Sequence, residues 1–407
     1  MQKNPAPLRR VFYRPGVTEL DTIYLDHAAT TRPDPAVVAA MQPYVAEYFG
    51  NPLSTHVYGE EPRRAIEEAR TRLAELIGCD AGELIFTSSG SEANNLAVKG
   101  VALAREKKGR HLIVSGVEHQ SVSNSAQSMA RLGWEVTVVP TDCLGLVDPD
   151  ELRKALRPDT TLVCVNLANL EIGTIEPITE LAAVVKEHSA AAFHADAVQA
   201  VGHIPVDVGA LGVDLLSVSA HRFYGPKGAG ALYFRKGVRV RPLIDGGLQE
   251  GGRRAGTENV PAIVGLGEAA RLAAEVMEER SARTKALRDR LHAGLFERIP
   301  HAHLNGHPER RLPTHESVCL EYVEGEAMTL FLMREGICTS SGSTCSSKAL
   351  KASHVLLACG LDPAVAQGSL QFTLGPDNDE EQIDRVLDIL PETVKRLREM
   401  SPLYPGD

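Results

Sequence analysis

No stretch of this chain stays apolar for long enough to span a bilayer. The first residues, "MQKNPAPLRRVFYRPG", carry basic side chains but no apolar h-region, which argues against a secretory leader and reads as an irregular arm. None of the seven cysteines, at 79, 143, 164, 319, 338, 345 and 359, pairs with another at CxxC spacing. That disfavours zinc or any other metal, and an odd, scattered set suits a reducing cytoplasm. Basic excess is missing as well. Lys and Arg number 43 against 53 Asp and Glu, a net charge of −10. Phosphate backbones need a positive surface, so nucleic acid is not expected as a partner, and neither is a membrane. Internal repeats and low-complexity linkers are absent too.

What is present is ordinary globular composition, 43% hydrophobic and 24% charged, over 407 residues. That length exceeds one simple core and predicts two domains. Helical patterns alternate with short β-branched runs. "PAVVAAMQPYVAEYF" begins on a proline suited to a first helical turn, with Pro43 expected to divide it. "PRRAIEEARTRLAELIG" predicts a helix stopped by Gly78. "ELIFTS", "HLIVSG", "EVTVVP", "TTLVCVNLAN", "AAFHADAVQ" and "VDLLSVSA" predict strands with helices between them. This α/β alternation implies a mainly parallel sheet flanked by helices. After about residue 260 the rhythm changes to a long helical stretch, further strands and a final helix. The expected division is a large domain over residues 20–260 and a smaller α+β domain from 1–19 and 261–407.

In open parallel sheets, ligands gather beyond the carboxyl ends of the strands. "FTSSGSEANN" is a strand, a small-residue turn and a helix start, where backbone N–H groups and Ser hydroxyls can hold an anion. Alone it reads better as a capped turn. "FHADAVQ" ends a strand on Asp196, with Gln199 three positions on. Cys345 sits among Ser and Gly in "SSGSTCSS", a setting for an accessible thiol, whereas Cys164 and Cys319 lie in apolar runs.

In order, "YLDHAATT", "FGNPLSTHVYG", "FTSSGSEANNLAVKG", "EHQSV", "HADAVQAVG", "VDLLSVSAH", "GPKGAGALY", "RRAGTENVPAIVGLG", "YVEGEAM" and "TSSGSTCSS" resemble the cysteine desulfurases. These are class V aminotransferases with the fold-type I architecture of pyridoxal-phosphate (PLP) enzymes. The resemblance spans about residues 22–400. It implies that Ser91, Ser219, His221 and the backbone near Gly90 hold the cofactor phosphate, joined by Thr257 from the other subunit of a homodimer. It implies that His119 stacks on the pyridine ring, that Asp196 pairs with the ring nitrogen and that Gln199 bonds the ring hydroxyl. Cys345 would be the nucleophile that takes sulfur from a substrate cysteine as a persulfide, for a possible sulfur-acceptor protein.

The chain departs from the family pattern at a few positions. Where the family has a Schiff-base lysine after "SAH", this sequence has Arg222. A guanidinium stays protonated and delocalised and cannot supply a nucleophilic amine. Lys227, in "GPKG", also occurs in members that keep the other lysine. Leu170 replaces an asparagine of "NNEIG", and Gln371 replaces the arginine of "RFSLG" that clamps a substrate carboxylate. Leu248 and Gly251 alter "GGGQERGRRAGTEN". The favoured reading is a repurposed enzyme that binds PLP or another phosphorylated ligand non-covalently and acts on a small molecule such as an amino acid. Arg222 would then border the ligand, and His119 would be the general base. An active cysteine desulfurase, turning L-cysteine into L-alanine with a persulfide on Cys345, is the alternative. A non-catalytic scaffold in sulfur transfer is a second.

Overall fold

The computed structural model describes residues 22–342 and 352–406; the arm at 1–19 and Cys345 lie outside them. Twelve strands follow in order: β1 (Ile23–Tyr24), β2 (Leu84–Thr87), β3 (His111–Ser115), β4 (Glu135–Val139), β5 (Thr160–Asn166), β6 (Ala192–Asp196), β7 (Leu215–Ser219), β8 (Gly230–Phe234), β9 (Ala302–Leu304), β10 (His315–Leu320), β11 (Ile337–Cys338) and β12 (Ser369–Thr373). Seven of them form one sheet in the order β2-β8-β7-β6-β5-β3-β4. All neighbours are parallel except β8, which runs antiparallel between β2 and β7. Every residue of β5 to β8 is buried, as expected for strands covered on both faces by helices. The chain adds β4 to one side of β3 and then returns to lay β5 on the other. That reversal of strand order opens a crevice at the carboxyl ends of β3 and β5.

A smaller unit is built on the antiparallel order β12-β10-β9. β1 pairs in parallel with β11, so Ile23 and Leu25 join its core with Val318, Phe372 and Leu390. The chain thus enters this unit at residue 23, just after the arm. The helix Val260–Arg298 serves both cores. Ile263, Leu266 and Ala270 pack into the large one, and Leu287, Leu291 and Leu295 into the small one. Among the described residues, no helix is long and apolar enough to cross a membrane.

Local signals act as their chemistry dictates. Pro43 divides Pro35–Met41 from Pro43–Ala46, and Gly78 ends Val57–Ile77 with φ of +70°. That helix starts at Val57, earlier than the expected Pro62, which lies inside it. Its backbone meets the long helix almost directly. A Cβ on Gly267 would stand 2.5 Å from both Cα and Cβ of Ala69. Gly267→Val is therefore expected to cost about 1–3 kcal/mol by overpacking, read from urea unfolding.

Glu176 follows the turn after β5. Its carboxylate accepts a 3.0 Å bond from the N–H of Val147, and burial pushes its pKa from 4.5 to about 8. The native state therefore keeps a proton that the unfolded chain releases, so this group's stabilising contribution is lost as pH rises through about 8. Glu176→Gln cannot ionise. Relative to wild type it is expected to gain about 1 kcal/mol or more between pH 5 and pH 8, measured by urea midpoints.

Candidate active site

The crevice is a cleft of about 330 Å³. Its walls are the segments following five strands: 89–91 after β2, 117–120 after β3, 166–171 after β5, 196–199 after β6 and 219–222 after β7. The smaller unit closes it with Asp26, Ser340, Ser341, Gly342, His354 and Gln371.

A buried hydrogen-bond network organises the centre. Asp196 ends β6, where register sets it beside Asn166 of β5 and Ser217 of β7. Its Oδ1 accepts from the N–H of Val198 at 3.0 Å, and its Oδ2 accepts from Asn94 Nδ2 at 2.7 Å. Asn94 Nδ2 also donates to Ser121 Oγ at 2.8 Å. Ser121 turns to His119, whose Nδ1 lies 2.6 Å from the hydroxyl and accepts the Ser121 backbone N–H at 3.1 Å. With Nδ1 an acceptor, the neutral imidazole carries its proton on Nε2. Burial lowers the pKa of His119, opposed by Asp196 and reinforced by Arg222. The ring thus offers a donor, which departs from the general-base expectation: a base needs a lone pair, and here Nδ1 is occupied.

A second cluster offers donors to an anion. Ser219 Oγ is buried and finds no hydrogen-bond partner among the described residues. Opposite it, a Cβ on Gly90 would meet Val198 at 2.6 Å and Ser219 at 3.2 Å. Only glycine leaves the backbone open there, at the start of the helix Gly90–Asn95. Ser91 adds an exposed hydroxyl. His221 lies 3.1 Å from Thr30 Oγ1 through Nδ1, and burial, then the charge of Arg222, lowers its pKa to about 4. A phosphate would satisfy the orphaned hydroxyl, and a pyridinium nitrogen would complement the fixed carboxylate of Asp196. The residues present fit PLP.

Arg222 lines the cleft from the turn Ala220–Arg222, and its carbonyl accepts from His203 Nε2 at 2.7 Å. Its charge reaches His119 on one wall and Asp26 on the other. Leu170 and Gln371 meet. Gln371 Nε2 donates to the Leu170 carbonyl at 2.6 Å, and His315 Nε2 donates to the same oxygen at 3.2 Å. Two carboxyls in the wall are held protonated-prone by burial. Glu118 is raised to about 7, although it accepts from Ser115 Oγ and from the N–H of Asn166, each at 2.7 Å. Glu171 is also raised to about 7 and accepts from Ser353 Oγ at 2.6 Å.

The cleft gathers Gly90, Ser91, His119, Asp196, Gln199, Ser219, His221 and Arg222. Gln199 uses Nε2 on the carbonyl of Ala28 at 3.2 Å. Thr257 is exposed and is not among the residues lining this chain's cleft. Cys345 lies outside the described residues. Sequence reasoning missed Asn94, Glu118 and Glu171 as site residues. Each stands inside a quoted motif, but only the fold shows that Asn94 joins Asp196 to the His119 turn.

Comparison with known proteins gives this geometry a lineage. A family model described as aminotransferase class-V matches residues 23–386. A protein named cysteine desulfurase IscS from Methanosarcina thermophila is 50% identical over 390 residues, covering 96% of each chain. One of the same name from Dictyoglomus turgidum is 50% identical over 380 residues, 93% of this chain and 96% of that one. A solved structure titled NifS-like protein superposes with a TM-score of 0.85 at 37% identity, covering 93% of this chain and 99% of that one. The sheet and the small antiparallel unit are those of the fold-type I PLP enzymes. These relatives favour the desulfurase alternative over the repurposed-site reading. By matched length and identity, the chain belongs to the class-V aminotransferase family and is a homologue of the cysteine desulfurases.

Proposed function

We propose that this protein is a cysteine desulfurase that binds PLP in the cleft without a covalent lysine link. The observation that carries the reading is the pairing of a fixed Asp196 carboxylate with a buried, unsatisfied Ser219 hydroxyl across one cleft. The 50% identity to desulfurases supports the reaction class. When bound, PLP supplies an electron sink for amino-acid chemistry. Ser219, Ser91, His221 and the backbone of Gly90 would hold its phosphate, and Asp196 and Gln199 its ring. His119 would offer its Nε2 proton as a hydrogen-bond donor. Arg222 cannot bond covalently, so these contacts must supply the affinity. The Cys345 thiolate attacks the substrate sulfur. The carbon–sulfur bond would break with its electron pair going to the β-carbon, which takes up the proton that the substrate thiol gives up, so that L-alanine leaves and a deprotonated persulfide remains on Cys345 for an acceptor protein.

The working form is proposed to be a cytoplasmic homodimer. Val45, Phe49, Leu53, Val57 and Tyr58 are exposed apolar residues close together in sequence, and Thr257 is free to serve a partner's site. The repurposed-site reading keeps one specific support: Gln371 is neutral and already bonded to Leu170.

Wild type incubated with PLP, gel-filtered and treated with borohydride is expected to bind cofactor but show no covalent adduct by mass spectrometry. Arg222→Lys is expected to gain one, and an adduct on wild type would sink the non-covalent claim. Ser219→Ala should weaken PLP binding about tenfold, since hydrogen bonds to charged groups are the strong ones. Wild type with L-cysteine should release sulfide under reducing conditions, and Cys345→Ala should not. Sulfide from neither protein would transfer the case to the repurposed reading.

A further inference from the structure

We propose that Arg222 is the anchor for the carboxylate of the amino-acid substrate, so that the substrate's charge is met from the β7 turn and not from the smaller unit. The inference rests on the amino-acid reading above. The cleft is lined by four carboxyls, Asp26, Glu118, Glu171 and Asp196. Against them, Arg222 is the only lysine or arginine among the described residues lining it. Two of its histidines add little positive charge: His221 is held near pKa 4 and the pKa of His119 is lowered. Among the described residues, an anionic substrate group entering this cleft at neutral pH therefore has one permanent cation to meet.

Position points the same way. Asp26 bridges to Thr373 of β12, two residues beyond Gln371, whereas His119 follows β3 of the large sheet. The charge of Arg222 acts on both, and on His315 beneath the Leu170 carbonyl. Arg222, from the turn after β7, and Gln371, from β12, line the same cleft. Gln371 is poorly suited to the task. It is neutral, and its Nε2 is engaged at 2.6 Å by Leu170. A guanidinium presents a planar fork that matches a carboxylate with two parallel bonds. The anion cluster around Ser219 and Gly90, by contrast, is built of neutral donors that suit a phosphate ester. Asp26 shares this cation: burial holds its pKa up near 6 against the pull of Arg222, so at neutral pH it is mostly ionised and the incoming carboxylate must compete with it.

Calorimetry on the cofactor-free protein tests this without any turnover. L-alanine and L-alaninamide differ at the carboxylate, and inorganic phosphate probes the other cluster. Wild type is expected to prefer L-alanine. Arg222→Gln should lower L-alanine affinity about tenfold or more, with L-alaninamide within about twofold and phosphate weakened less than L-alanine. Arg222→Lys should retain part of the preference. Adding Gln371→Arg to Arg222→Gln should restore it, because that returns a cation to the same cleft. An unchanged alanine-to-alaninamide ratio in Arg222→Gln overturns the proposal. So does a wild type that binds no L-alanine, or a loss that falls on phosphate instead. Failure of PLP binding or of sulfide release would count against the desulfurase reading and would leave this ratio readable.

Discussion

The bond from Asn94 to Asp196 holds the site together. One amide joins the start of a helix to the end of the central strand, and through Ser121 it also sets the proton on His119. Three segments distant in sequence are locked by a single buried side chain. In a low-dielectric interior such a network is strong when every member is satisfied and costly when one is removed. Asp196 owes its fixed orientation to it, and the direction in which His119 can give or take a proton follows from it.

Much of this was legible in the sequence because the relevant signals are local. The strand runs, the proline break at Pro43, the glycine stop at Gly78 and the small-residue turn at Gly90 are each set by a few neighbouring residues. The motif residues of the cleft could likewise be read from their order. Asn94 could not, since its role depends on a strand about a hundred residues away. The contact between Gln371 and Leu170 was hidden for the same reason. Both stood out singly as departures, yet only the packing of the smaller unit against the loop after β5 brings them together. The His119 tautomer lay a step further off, because it depends on a hydroxyl two residues away and on what that hydroxyl bonds in turn.

The departures also make sense as a set. Leu170 offers only its backbone here, and Gln371 occupies that oxygen together with His315. Among the described residues lining the cleft, the smaller unit contributes no lysine or arginine, and permanent positive charge is confined to the turn after β7.

The helix Val260–Arg298 carries a further consequence. At 39 residues it is about 60 Å of continuous rod, and each core claims a different length of it. Cutting the chain near residue 260 would leave the larger piece without one wall of its interior, while the smaller piece would carry a stretch of bare apolar helix. The two units are therefore distinct in architecture but not separable as fragments, and any recombination that exchanges one for a relative's must carry the shared rod, and both surfaces it fills, along with it.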